Sequence, residues 1–371
     1  MVQFVGVNFL DEHVHTTVVD RKARVLQTAS VPLPGIVSGP SPNVFEVPPQ
    51  EWTRAGFLAL QDMYANLPIK HRRLWGFAIS GPQGWIAVDP DLDPLSPLRL
   101  TPGCSPLIDF RGWLESNPHA RAHIFALLSP KDYFRLRVSG GLAADITQAS
   151  QTGLLRGRES FWSRENVEAQ DIEPRWLPPV FASATSTGRI SEEGVDQTGI
   201  PGGIWVVAGS ESSAATQISA GVFAPGELLI LLSSGNVEIR YVVGQNDSQR
   251  SPDGWERVHS ATPSTECLVQ RTSLSALEDA ASLTENVNNG IHALQTAGHE
   301  VTAIVVDSRA AIPEKILDAL AHLNPEPILS FFVGETDPGT AFLAGLAKGM
   351  FKNPQDLLKK VLAAQEHEDP E

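Results

Sequence analysis

The sequence is poor in several residue types, and each shortage excludes a class of protein. Only two cysteines, Cys104 and Cys267, occur in 371 residues, too few and too far apart for a disulfide framework. No apolar run reaches the ~18 residues that a membrane-spanning helix needs, and the opening residues MVQFVGVNFL lack the basic segment of a secretory signal. We therefore expect a protein of the reducing cytoplasm that has no membrane partner.

Basic residues are also scarce. The 43 acidic residues outnumber the 28 basic ones and give a net charge of −15. Binding to nucleic acid depends on clustered lysine and arginine. The nearest approach to such a cluster is Lys70-His71-Arg72-Arg73, which we expect in a turn before a strand. A nucleic-acid partner is therefore not expected.

Short motifs for several common chemistries are absent. The sequence has no Walker A phosphate loop, no nucleophile-elbow serine, no protein-kinase signature set and no cysteine–histidine zinc cluster. Glu115, His119 and His123 have the i, i+4 spacing that could place three metal ligands on one helical face. However, Asn117 and Pro118 are typical of a helix start, which would leave Glu115 outside that helix. We therefore expect no metal site.

The remaining composition is that of an ordinary globular protein. Hydrophobic residues make up 42% and charged residues 19% of a chain long enough for about two domains. β-Branched runs predict three strands and then a strand pair near the start, and apolar residues at helical spacing predict a helix between them. Residues 228–271 predict a second meander, followed by alternating helices and strands. This repeated order predicts two α/β domains that face a cleft, with residues 1–224 in the first and 225–371 in the second.

Central strands of both domains are predicted by apolar runs without polar alternation, which is typical of strands covered on both faces. These runs contain Val5, Val7, Ile79, Val206, Val207, Ile230 and Val305. Helices are further predicted over residues 147–155 and 163–170, and a strand over residues 328–333.

One central stretch of the sequence resembles a known family. Residues 131–155 contain, in order, KDYFRLRVSG, AD and ASQTGLL. This pattern is similar in order and spacing to the central segment of the FGGY carbohydrate kinases, and of their xylulokinase-like group in particular. Residues 79–81 (ISG) and 339–344 (GTAFLA) match further motifs of that family. The resemblance implies the α/β fold of two actin-like (ribonuclease-H-like) domains facing a central cleft.

The same resemblance places the family's phosphoryl-transfer chemistry on residues that differ from the usual ones. The aspartate that assists magnesium and phosphate in the family corresponds to Asn8, and the aspartate that acts as catalytic base corresponds to Ser212. Loss of a positioned base typically costs about 10²–10⁴ in rate. Glu211, next to Ser212, could serve as a shifted base, or it could be a solvated acid of a turn.

The positions that correspond to the family's nucleotide and sugar contacts also carry residues that differ from its motifs. The resemblance assigns the second phosphate turn to Ser233, Ser234 and Gly235, the adenosine turn to Asp307 and Ser308, and the sugar contacts to Gly81 and Gln83. Four acidic residues are then expected around the cleft, namely Asp11, Glu12, Glu211 and Asp307. Such a cluster would repel a triphosphate by about 1 kcal/mol or more per close pair.

These residues leave three functions open. In the first, the chain is a degenerate sugar kinase, a pseudokinase that binds or scaffolds and takes no nucleotide cofactor. In the second, it is a working kinase that uses ATP and Mg²⁺ to phosphorylate a pentose or polyol with unusual site residues. In the third, it is an actin-like structural or assembly protein. The sequence leaves the identity of the sugar undecided, and also whether the chain has a homodimer or protein partner.

Overall fold

Two large mixed β-sheets organise the computed structural model of the chain. The structure describes residues 2–10, 12–41, 43–155, 160–233, 236–262, 264–273, 280–308, 314–329 and 337–365. Strands β1 to β20, in chain order, are Gln3–Phe9, His13–Asp20, Val25–Pro32, Val37–Ser38, Phe45–Val47, Leu74–Gly81, Gly84–Val88, Leu98–Leu100, Ala126–Leu128, Ala144–Asp145, Val180–Phe181, Ser186–Arg189, Trp205–Val207, Ser210–Glu211, Glu227–Ser233, Asn236–Gly244, Glu256–His259, Thr265–Ser273, Ala303–Ser308 and Ile328–Leu329. Helices α1 to α11 are Pro49–Asn66, Pro106–Ser116, Pro130–Ser139, Ile146–Ser150, Arg164–Ala169, Glu192–Thr198, Ser212–Ser219, Ala280–Thr296, Glu314–Leu320, Gly339–Ala347 and Pro354–Gln365.

The first large sheet has the strand order β12-β13-β6-β1-β2-β3, and β14 also pairs with β6. Strand β1 runs antiparallel to β2 and parallel to β6, which in turn is parallel to β13. All seven residues of β1 are buried. Helices cover both faces of such a parallel core, so its strands are apolar on both sides.

The second large sheet has the strand order β17-β18-β16-β15-β19-β20. Strand β15 is antiparallel to β16 and parallel to β19. Helix α8 covers one face of it, where Leu283, Val287 and Leu294 are fully buried in one cluster with Ile239 and Val306. The meander predicted over residues 228–271 is therefore present, and the prediction of two α/β halves is confirmed.

The apolar residues predicted for the central strands lie in those strands. Val5 and Val7 are in β1, Ile79 in β6, Val206 and Val207 in β13, Ile230 in β15 and Val305 in β19. Each has at most 6% of its surface exposed. Apolar runs without polar alternation therefore identified the doubly covered strands of both sheets.

The last two helices return to the first sheet. Phe342 and Leu343 of α10, together with Leu357 of α11, are buried in one cluster with Phe4 and Ala78. Glycine at position 6 makes this packing close, because a Cβ there would lie 2.4 Å from the Ala341 backbone nitrogen. The proposed division between residues 224 and 225 thus separates the two sheets, whereas α10 and α11 pack on the first of them.

Several short elements differ in length from their sequence patterns. The helix predicted over residues 147–155 ends at Ser150, and the segment leaves it through Gly153, whose φ is +72°. The helix predicted over residues 163–170 is α5, and Ser163 is its N-cap. Only Ile328–Leu329 of the strand predicted over residues 328–333 lies within the described residues. No helix among the described residues is long and apolar enough to cross a membrane.

The three residues with metal-ligand spacing do not share a helix. Glu115 belongs to α2, which ends at Ser116, whereas His119 lies in the separate 3₁₀ helix Pro118–Ala122 and His123 follows it. Within the part of the chain that the structure describes, no group of three or more His, Cys, Asp or Glu side chains could hold a metal ion.

Candidate functional site

A cavity that is open to solvent lies between the two halves of the molecule. We call it the cleft cavity. Five of the residues assigned to the site by sequence line it, namely Gln83, Glu211, Ser212, Ser233 and Asp307. Glu238 and Arg271, which the sequence patterns did not single out, line it too.

The turn into α7 positions two of these residues. Gly209 has a φ of +80°, and a Cβ at this position would lie 1.9 Å from the Ile79 carbonyl oxygen. Only glycine therefore lets the chain pass this close to β6 before it forms β14. Glu211 then serves as the N-cap of α7, and Ser212 is its first residue.

Ser212 is buried and donates its hydroxyl hydrogen within the first half of the molecule. Its Oγ lies 3.2 Å from Asn8 Oδ1 and 3.3 Å from the Phe9 carbonyl oxygen. Only 3% of the residue is exposed. The Ser212 hydroxyl is thus directed at acceptors of β1, and its correspondence to the family's base stays a prediction.

Asn8 joins four elements through a chain of hydroxyl groups. Its Oδ1 accepts a hydrogen bond of 2.7 Å from Ser80 Oγ as well as the one from Ser212, and Ser80 Oγ lies 2.5 Å from Thr340 Oγ1. Its Nδ2 is buried without a hydrogen-bond partner among the described residues. Asn8 is not among the residues lining the cleft cavity. Its side chain contacts Ser212, which does line the cavity.

Glu211 is held by the backbone and by an arginine. Its Oε1 accepts from the Ser213 N–H at 3.0 Å, and its Oε2 accepts from the Ala214 N–H at 3.2 Å. Arg240 Nη1 lies 3.4 Å from Oε2. Because only 5% of the residue is exposed, the interpretation of Glu211 as a solvated turn acid is wrong. Its role as a shifted base stays a prediction.

A buried ion-pair network forms one wall of the cleft cavity and joins the two halves. Arg240, which is fully buried, donates at 2.6 Å to Glu238 Oε1 and at 3.0 Å to Gln217 Oε1 of α7. Glu238 Oε2 also accepts from Arg271 Nε at 3.1 Å and from Ser213 Oγ at 3.2 Å. These bonds connect α7 to the second sheet directly.

Electrostatics keep this network ionised. Burial alone would raise the pKa of Glu238, but Arg271 and Arg240 lower that pKa to about 2. Burial disfavours the charged form of Arg240, yet the neighbouring Glu238 raises the pKa of the guanidinium overall. A signal for this network exists in the sequence, since Glu238 and Arg240 stand two apart in an apolar strand and therefore share one face. The sequence does not show that β18, which carries Arg271, is the strand that pairs with β16.

The remaining site assignments are spread over several places. Ser233 ends β15, and Asp307 pairs in register with Leu231 on the neighbouring strand. Ser308 is buried but does not line the cleft cavity. Gly81 ends β6, and its carbonyl oxygen accepts from Gln148 Nε2 at 3.1 Å. Ser234, Gly235 and Asp11 lie outside the described residues.

The expected ring of acids is only in part present. Glu211 and Asp307 line the cleft cavity, and Glu238 adds a third carboxylate that the sequence did not predict. Glu12 is exposed and does not line it.

Both sequence and fold can be compared with those of known proteins. Residues 106–219 match the model of the FGGY family of carbohydrate kinases, N-terminal domain. The chain is 25% identical over 262 residues to xylulose kinase of Klebsiella pneumoniae, which covers 63% of this chain and 53% of that one. It is 20% identical over 284 residues to xylulose kinase of Staphylococcus xylosus, with 68% and 57% covered. The chain thus spans about half the length of the curated relatives it matches.

Solved structures share its fold over nearly the whole chain. A kinase of Brucella ovis described as a xyloylose kinase superposes with a TM-score of 0.84 at 17% identity, covering 98% of this chain and 97% of that one. Xylulose kinase of Rhodospirillum rubrum gives a TM-score of 0.81 at 15% identity, with 94% and 91% covered. The fold implied by the sequence resemblance, two actin-like domains around a cleft, is therefore confirmed. Residues 106–219 are thus similar to the N-terminal domain of the FGGY carbohydrate kinases, and the chain as a whole has the fold of the solved xylulose kinases.

Proposed function

We propose that the chain binds a sugar or polyol in the cleft cavity and does not transfer phosphate to it. It would then be a degenerate FGGY-type kinase with a binding or scaffolding role. One observation carries the proposal. Ser212, which the sequence resemblance assigns to the family's base position, directs its hydroxyl at Asn8 Oδ1 and the Phe9 carbonyl oxygen. A serine hydroxyl is neutral and only weakly basic, so it cannot accept a substrate proton near neutral pH.

The carboxylates near Ser212 are poorly suited to take over the role of base. A general base works best when its pKa lies near the operating pH, whereas the pKa of Glu238 is about 2. Glu211 uses both carboxylate oxygens to cap α7, and Arg240 lies beside one of them. Protonation during its use as a base would weaken the cap, which typically contributes about 0.5–2 kcal/mol.

The cavity residues also fit ATP and Mg²⁺ poorly. Magnesium prefers carboxylate oxygens and substrate phosphates, but the residue at the family's metal-assisting position is Asn8, whose amide oxygen already accepts two hydroxyl hydrogens. Glu211, Glu238 and Asp307 would face the phosphates, and repulsion costs about 1 kcal/mol per charge pair at 4 Å even in water. Arg271 and Arg240 pair with Glu238 and offset part of this repulsion, whereas Asp307 adds a further acid to the wall.

A neutral polyhydroxyl ligand suits the cavity better. Gln83 offers an amide donor and acceptor, Glu238 and Asp307 offer acceptors, and Arg271 offers donors along the same wall. Hydroxyl groups can pair with both kinds of atom without adding charge to a site that is already acidic. The names of the relatives suggest xylulose as the first sugar to test.

A second candidate function is a working sugar kinase with Glu211 as its base. One observation favours it, since Glu211 precedes Ser212 in the chain and lines the same cavity. The fold shared with the xylulose kinases is compatible with this activity too.

The experiment measures binding and turnover on the same protein. Calorimetry with xylulose and a panel of pentoses and polyols tests binding, and ADP release from ATP–Mg²⁺ with the same panel tests transfer. We expect sugar binding without sugar-dependent ADP release. Sugar-dependent turnover by the wild type that is lost in Glu211→Gln but kept in Ser212→Ala would establish the second function instead.

A further inference from the structure

A second cavity lies within the first half of the molecule. We call it the aromatic cavity. Its walls include Trp85, Leu107, Leu154, Trp162 and Leu177, and Gln148 also lines it. Gln83 lines both this cavity and the cleft cavity, so the two spaces adjoin. Concave cavities with mainly apolar walls are typical of small-molecule sites.

The aromatic walls have no polar hydrogen left for a ligand. Trp85 Nε1 donates to Asp109 Oδ2 at 2.8 Å, and Trp162 Nε1 donates to the Pro178 carbonyl oxygen at 2.7 Å. Both indole groups are therefore satisfied within the protein. What they offer to the cavity is apolar ring surface, which favours an aromatic or apolar ligand.

The charged groups at the cavity wall neutralise one another. Asp132 and Asp145 line it, and Lys131 Nζ lies 2.7 Å from the first carboxylate and 2.8 Å from the second. Arg135 Nε lies 3.3 Å from Asp132 Oδ1. Lys131 makes a third bond, of 3.0 Å, to the Ala208 carbonyl oxygen. Two acids are thus matched by two engaged cations, and the wall favours a neutral ligand over an ionic one.

One acceptor at the wall has no partner. Gln148 Nε2 donates to the carbonyl oxygens of Gly81 at 3.1 Å and Pro82 at 2.8 Å. Because carbonyl groups only accept, these bonds fix the orientation of the amide. Gln148 Oε1 is left buried without a hydrogen-bond partner among the described residues, in a side chain that is 7% exposed. Such an acceptor costs about 1–3 kcal/mol unless a donor reaches it.

We propose that the aromatic cavity is a second binding site, for a neutral aromatic compound that donates one hydrogen bond to Gln148 Oε1, such as a phenol-type alcohol. The ring would occupy the space between the tryptophan and leucine walls. This site is separate from the family-related chemistry of the cleft. It does not depend on whether the cleft cavity transfers phosphate.

The test uses calorimetry of the full chain with 2-naphthol and with 2-methoxynaphthalene, which has the same rings but no donor. We expect 2-naphthol to bind with 1:1 stoichiometry and the methoxy compound to bind about fivefold more weakly or worse. Ala149→Leu, at a 3% exposed wall residue, fills the cavity and is expected to abolish binding. Ala65→Leu makes the same change at an exposed helix position and is expected to leave binding unchanged.

Leu107→Phe fills the cavity from a different helix and serves if Ala149→Leu fails to fold, as judged by circular dichroism. No binding of 2-naphthol to the wild type up to its solubility limit would overturn the proposal. Equal affinity for the two compounds, or binding that survives in every folded cavity-filled variant, would also overturn it.

Discussion

Glu238 stands directly opposite Arg271 on the antiparallel ladder of β16 and β18, and Arg271 Nε lies 3.1 Å from Glu238 Oε2. The same carboxylate accepts from Arg240 at 2.6 Å, and Arg240 in turn contacts Gln217 and Glu211 of the first half. The Glu238–Arg271 pair is therefore one end of a network of ion pairs and hydrogen bonds that joins the second sheet to the first half of the molecule.

Loss of Arg240 should destabilise the fold strongly. Arg240→Met leaves the buried carboxylates of Glu238 and Glu211 without this cation, and breaking a buried pair on one side typically costs about 3–5 kcal/mol. Urea denaturation should show this loss in the free energy of unfolding. Arg250→Met is the matched control, because Arg250 and Asp253 form an ion pair with highly exposed side chains. Equal effects of the two variants would contradict the network's importance.

Stability should depend on pH through Glu238. The folded pKa of about 2 lies below the usual glutamate range, so the unfolded chain binds a proton at a higher pH than the folded one. The stabilisation is present above the unfolded pKa and is lost as pH falls toward 2. Between pH 5 and pH 2.5 the wild type should lose stability more steeply than Glu238→Gln, by a difference on the order of 2–3 kcal/mol. Parallel pH profiles from chemical denaturation would argue against it.

Replacement of Gly209 should lower the free energy of unfolding by more than its φ angle alone explains. Gly209→Ala combines a φ of +80° with a Cβ 1.9 Å from the Ile79 carbonyl oxygen. Gly199→Ala is the control, because its φ of +69° is similar but nothing lies within 4 Å of the added Cβ. The control should lose about 1–2 kcal/mol, and Gly209→Ala at least about 2 kcal/mol more. Thermal and urea unfolding measure both, and similar losses would refute the close contact.

Restoring one acid should not restore turnover. Ser212→Asp places a carboxylate where the sequence resemblance predicts the family's base, but Asn8 would still stand where the resemblance predicts the metal-assisting aspartate. Residues that act as a unit are grossly non-additive, so a single repair leaves the remaining defect in place. ADP release with the sugar panel should stay at the level of Ser212→Ala. Sugar-dependent turnover by Ser212→Asp, with both variants folded by circular dichroism, would contradict the proposed loss of transfer.

Local sequence patterns predicted the strands, and short motifs carry the resemblance to a family. The apolar runs around Val5, Ile79 and Ile230 identify strands of two sheets, because a strand covered on both faces cannot alternate with polar residues. Residues 131–155 carry the order of motifs that is similar to the FGGY kinases, and the structure places this stretch in the first half. Both kinds of information lie within short segments, so they can be read without knowledge of contacts between segments.

Contacts between distant segments were decided by the tertiary structure alone. The sequence pattern allows Glu211 to be a solvated acid of a turn, yet the residue is buried. Hydrogen bonds between α7 and β16 bring Arg240 within 3.4 Å of its carboxylate. Helix α10 joins the first sheet although it follows the second, because Gly6 allows the Ala341 backbone to approach β1 closely. The sequence by itself determined the central strands of both sheets and the family that its motifs resemble. Which buried charges meet depends on strand register and on how the halves pack, and those are properties of the whole fold rather than of any one segment.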